Sequence, residues 1–97
     1  MRINKFSALD IGQYVLSAIH QDPVLMGPAF KPFTERLLNN NILEDYSGKT
    51  SKDLILEKYH LQDEVLGLSS EDDELALLIS CEIRIIDHIL DVLRMSN

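Results

Sequence analysis

The sequence has no tryptophan and only six aromatic residues, three Phe and three Tyr. Alternating runs of Val, Thr and Tyr are equally scarce. The residue types that a pleated surface favours are therefore missing, and the expectation is a helical chain. A single cysteine, Cys81, cannot form an internal disulfide, which points to a reducing, cytoplasmic setting. The four glycines stand isolated at positions 12, 27, 48 and 67. Gly48-Lys49-Thr50 lacks the upstream glycine of a phosphate-cradling loop, which argues against nucleotide binding of that kind.

A long hydrophobic run is also missing. The most apolar stretch, Leu75 to Leu93, is interrupted by Glu82, Arg84, Asp87, His88 and Asp91, which a membrane span of about 20 residues does not tolerate cheaply. Met1 to Leu9 carries Arg2 and Lys5 but runs into Asp10, Gly12 and Gln13, so it does not read as a secretory signal. These observations predict a soluble protein with no membrane contact. At 97 residues, 45% of them hydrophobic and 26% charged, the chain has the size and composition of one globular domain, 1–97.

Cations are absent from one region in particular. No Lys or Arg occurs between Tyr59 and Ile83, whereas Asp63, Glu64, Glu71, Asp72, Asp73, Glu74 and Glu82 all do. Residues 1–58 are balanced, with seven acids and seven bases, so the whole net charge of −7 lies in the C-terminal 39 residues. Such a patch repels nucleic acid and attracts basic surfaces. The competing reading is local, because acidic residues at 71–74 also suit the positive end of a helix dipole.

Helix signals divide the chain. Ser7 with Asp10 opens a first helix from Ala8 to about His20. Asp22-Pro23 offers a cap and a first-turn proline for one short turn, which Gly27-Pro28 ends. Pro32, Phe33, Leu37 and Leu38 give a second helix that stops at the Asn39-Asn40-Asn41 run, where asparagine tolerates the left-handed conformation. Ile42 and Leu43 then pack, and Glu44 to Lys49 reads as a polar turn. Thr50 with Asp53 caps a third helix bearing Leu54, Ile55, Tyr59 and Leu61, which breaks at Gly67. Ser70 with Asp73 opens the longest, running to about Arg94. The expected fold is all-α: a small four-helix or irregular helical bundle with a long, central C-terminal helix.

On that last helix the polar residues Ser80, Arg84, Asp87, His88, Asp91 and Arg94 share one sector, read as a solvated face. The rest is apolar over a wider arc than a surface helix carries. Either the other helices or a second copy must cover that arc, so a homodimer through 71–94 is one expectation. Glu82 lies near the centre of the arc, where an unpaired carboxylate would be costly. The first expectation is a structural buried charge paired with Arg36, Lys58, Tyr59 or His60. The others are a position at the bundle edge facing a partner, or a catalytic carboxylate with a raised pKa.

Chemistry-bearing patterns are otherwise thin. Asp87, His88 and Asp91 do not have the Glu-x-x-His or His-x-x-x-His spacing of a metal site. His20, His60 and His88 are scattered, and Cys81 sits on the apolar side of its helix, where a thiol acts as a small hydrophobe. Carrier proteins attach their cofactor to the serine of Asp-Ser-Leu; here the residues are Thr50-Ser51-Lys52-Asp53-Leu54. No enzyme, metal or cofactor is expected.

What remains is a binder. Asp63, Glu64, Glu71, Asp72, Asp73 and Glu74 would face a basic protein, with Tyr59, Leu66 and Leu68 as apolar anchors. Bacterial immunity proteins that neutralise nuclease toxins, and phage inhibitors that mimic DNA charge, are small acidic domains of the same physical kind. The likeness is one of size and charge and involves no motif. A self-associating structural or regulatory subunit is the alternative.

Overall fold

The computed structural model describes residues 8–46 and 48–96, with backbone alone for 8–12 and for 95 and 96. The described residues form five helices and no strand: α1 (Ala8–Gln21), α2 (Lys31–Asn39), α3 (Ile42–Asp45), α4 (Ser51–Leu66) and α5 (Asp73–Ser96). The fold is all-α, with a long C-terminal helix. Ser7, expected to cap α1, lies outside the described residues.

α5 is the element on which the others pack, and α1, α2 and α4 all lie against it. Its Ile79, Cys81, Ile85, Ile86, Ile89 and Leu93 are buried, together with Val15 and Ile19 of α1, Leu37 of α2 and Leu54 and Leu61 of α4. Each large aliphatic side chain removed from water in this way contributes about 1.5–3 kcal/mol. Most of the wide apolar arc of α5 is thus covered within the chain, while Leu75 at its start stays 41% exposed.

The connections follow local rules. Asp22 accepts hydrogen bonds from the backbone N–H groups of Val24 (2.9 Å) and Leu25 (3.4 Å) through Oδ1 and caps the turn that Pro23 enters. Gly27 closes it, and a Cβ there would stand 3.0 Å from the carbonyl oxygen of Pro23. Asn41 adopts the left-handed conformation, φ 60° and ψ 39°.

Two boundaries differ from expectation. The segment read as a polar turn from Glu44 begins instead as the last part of α3, because Ile42 and Tyr46, four apart, both bury on one side and hold a helical turn between them. α5 is capped two residues later than expected. The Ser69 N–H and hydroxyl donate to Asp72 Oδ2 at 3.3 and 3.1 Å, and the Ala76 N–H bonds the Asp72 carbonyl, so Asp72 and not Ser70 stands at the N-cap. Packing of Leu68 against the core sets the turn there. Gly67 does end α4, but with φ −87°, a conformation open to any residue.

The cap of α4 matches its reading. The Asp53 N–H donates to Thr50 Oγ1 and the Thr50 N–H to Asp53 Oδ2, both at 3.2 Å. Ser51 shares a groove with Arg94, and Lys58 meets Asp87, so α4 and α5 run antiparallel. The turn that joins them forms a tip holding the C-terminus of α4 and the N-terminus of α5.

Candidate functional site: an acidic helical tip and the polar side of α5

The tip gathers six predicted partner-binding acids. Asp63 and Glu64 end α4; Glu71, Asp72, Asp73 and Glu74 open α5, and all six are exposed. Among the described residues, no Lys, Arg or His forms an ion pair with any of them. Leu66 stands in their midst, 83% exposed, and Tyr59 is 59% exposed two turns back along α4. Leu68 is half-buried and packed against the core, and so presents less free surface than Leu66.

The polar side of α5, expected to be solvated, is committed in part to the turn after α1 and to α4, while Asp91 and Arg94 are exposed. Asp22 is buried, its side chain only 2% exposed. Its Oδ2 accepts from Arg84 Nε at 2.6 Å and lies 2.6 Å from His88 Nε2, while Oδ1 takes the two backbone donors of its own turn. Burial pushes the Asp22 carboxyl up, but the bonds from Arg84, His88, Val24 and Leu25 outweigh it and hold the group well below the usual carboxylate range. The bond to Asp22 raises the Arg84 guanidinium in turn. On the opposite flank, Lys58 Nζ donates to Asp87 Oδ1 at 2.6 Å, tying α4 to α5.

Glu82 finds a different partner from those expected. Tyr46 donates its hydroxyl to Glu82 Oε1 at 2.6 Å, and both groups are partly screened from water. Arg36, Tyr59 and His60 are exposed, and Lys58 is engaged by Asp87. A phenol outside the expected set, that of Tyr46, therefore takes the place of Arg36, Lys58, Tyr59 and His60. Burial, the bond to Glu82 and the nearby charges of Glu82, Glu57 and Asp45 push the Tyr46 hydroxyl far above its ordinary value, so it stays a donor. Tyr46 escapes sequence reasoning because it falls in a stretch that looks like a polar turn.

Cys81 is buried, as expected, and its sulfur lies 2.9 Å from Thr34 Oγ1. The Thr34 hydroxyl also lies 3.1 Å from the carbonyls of Leu25 and Phe30. A thiol donating to Oγ1 while the hydroxyl proton is shared between the carbonyls satisfies all three groups. Burial raises the Cys81 thiol, and the charges of Glu82 and Asp22 add to that. This sulfur is suited to packing and not to attack. The histidine of the Asp22 cluster is bonded to a carboxylate and not to this thiol. No group of three or more His, Cys, Asp or Glu among the described residues is placed to hold a metal.

Two open grooves flank α5. One of about 610 Å³ lies between α4 and α5 and is lined by Ile55, Lys58, Tyr59, Asp87, Leu90 and Arg94, among others. A more apolar one of about 420 Å³ lies between Tyr14 and Ala18 of α1 and Val92. No described helix is long and apolar enough to cross a membrane. Comparisons with protein-family models, curated proteins and solved structures find no match.

Proposed function

We propose that this chain is a non-catalytic binding protein that engages a basic protein partner through the acidic tip of its α4–α5 hairpin, in the manner of an inhibitor or immunity protein. One observation carries this reading: six exposed carboxylates without a cation partner among the described residues surround an exposed leucine, Leu66, at one end of an antiparallel helix pair. A field of one sign accelerates encounter with a cationic surface, and an apolar residue within it gives the encounter something to bury. Glu82 and Asp87, further along α5, are by contrast bonded to Tyr46 and Lys58, and the one cysteine is packed away. A toxin or nuclease is the class of basic partner that this charge pattern suits, and the setting expected for it is the cytoplasm.

The test is affinity capture from source cells with the wild-type chain and, in parallel, with Asp63→Asn, Glu64→Gln, Glu71→Gln and Glu74→Gln combined, leaving the capping Asp72 intact. A basic protein retained by the wild type, released by salt and absent with the neutralised variant is the expected result. Identical captures from the two baits would remove the tip from the function.

A further inference from the structure

Among the described helices, α4 packs against α5 alone, so the rest of its surface is left uncovered by the described elements. A helix with a single neighbour is ordinarily polar elsewhere. This one is not. Leu54, Leu61 and Val65 face the core, yet Ile55, Tyr59 and Leu66 fall within a second sector of about 60° on the wheel. They are 41%, 59% and 83% exposed, and Leu56, 50% exposed, borders them. Single exposed hydrophobes need no explanation, whereas a line of large ones along one helix marks a contact surface.

The two ends of this line differ electrically. At Ile55 and Tyr59 it opens into the groove shared with Leu90, where Lys58 is paired with Asp87 at 2.6 Å and Arg94 lies 4.0 Å from Asp91. The charges there cancel. At Leu66 the line enters the acidic tip, where no cation among the described residues pairs with Asp63, Glu64 or the acids of 71–74.

We infer that this apolar flank of α4 is the docking surface for an amphipathic helix of a basic protein, laid along α4 with a large apolar side chain in the Ile55–Tyr59–Leu90 groove and its Lys/Arg cluster over the tip. The inference rests on the reading of the tip as a site for a basic partner, and it adds the mode of recognition. Ile55 and Leu66 are eleven residues apart, about 16 Å along the axis, which matches three turns of a partner helix with anchors at i, i+4, i+7 and i+11. A second copy of this chain fits poorly, because it would bring a net charge of −7 against −7.

The whole isotopically labelled chain, titrated with synthetic peptides and followed by amide NMR shifts, provides the test. One peptide carries leucines at i, i+4, i+7 and i+11 with lysines clustered at one end, made with the cluster at either terminus. A second has the same composition in scrambled order, and a third has glutamates replacing the lysines. One ordering of the first peptide should shift Ile55, Tyr59, Leu66 and Leu90 and bind about tenfold more tightly than the other two sequences. Tyr59→Ala and Leu66→Ala should each weaken it about three- to tenfold with the thermal melt unchanged. Equal binding of the scrambled peptide, with shifts confined to 63–74, overturns the helix surface while leaving the charged tip standing. Failure of every basic peptide to bind overturns both readings. Tight binding of the glutamate peptide refutes the charge match, and a concentration-dependent dimer abolished by Tyr59→Ala assigns the face to a second copy and overturns the proposal.

Discussion

Asp22 and Arg84, sixty-two positions apart, meet at 2.6 Å, and the carboxylate in this pair is the buried member while the guanidinium remains partly exposed. The contact joins the turn after α1 to the middle of α5. Its two ends are unequal: removing Asp22 leaves a cation that water can still reach, whereas removing Arg84 leaves a buried anion supported by His88 and two backbone donors.

Arg84→Met should therefore cost about 2 kcal/mol, and Asp22→Ala about 3 kcal/mol because the turn also loses its cap. Urea denaturation gives both values, and the double variant should cost clearly less than their total. Additive losses would mean that the pair contributes no coupling.

The same carboxylate sets an acid limit. Its folded pKa lies below that of the unfolded chain, about 3.9, so the stability it supplies is complete above that value and is lost as pH falls through the acid range toward the folded pKa. Urea midpoints measured from pH 6 down to pH 2.5 should decline most steeply below about pH 4, and Asp22→Asn should flatten that decline. A variant slope equal to the wild-type slope would place the acid sensitivity elsewhere.

Tyr46→Phe removes one hydroxyl and leaves the half-buried Glu82 carboxylate without its 2.6 Å donor. A loss of about 1.5–3 kcal/mol is expected, since the acceptor is ionised. Glu82→Gln, which keeps an acceptor oxygen, should cost less. In a phenol absorbance titration, Tyr46 should ionise only as the protein unfolds.

Cys81 should resist a water-soluble disulfide reagent in the native protein and react readily in denaturant, because burial both hides the thiol and keeps it protonated. Native-state labelling at the rate of a free thiol would contradict the Thr34–Cys81 packing.

The parts of this fold that are legible in the sequence are those governed by near neighbours. Thr50 and Asp53 are three apart and cap as such pairs do, Asp22-Pro23 makes its turn, and the apolar spacing of α5 announces a central helix. The acidic tip is legible for the same reason, since its charges are consecutive or nearly so. The bonds of Asp22 with Arg84 and His88, and of Tyr46 with Glu82, are not. A helical wheel shows that Arg84 and His88 share a side with Asp87, but which side meets another helix's carboxylate depends on how the helices settle around the core. Asp22 was also masked by its own local role, since a residue that explains a cap does not advertise a second use for its other oxygen. Leu68 and Leu66 illustrate the limit again. Two residues apart and chemically identical, they end up packed and solvent-facing because the turn after Gly67 directs one inward.

The attachment of α4 to a single neighbour bears on how the protein breathes. A helix latched to the rest by Leu54, Leu61, Val65 and the Lys58–Asp87 bridge can detach without disrupting the packing among α1, α2 and α5. Its amides should exchange with deuterium through a partial opening, at a free energy below that of global unfolding, while those in the middle of α5 report the global value. Clamping of α4 along its apolar flank would close that gap, so slowed exchange confined to this helix would register a bound partner.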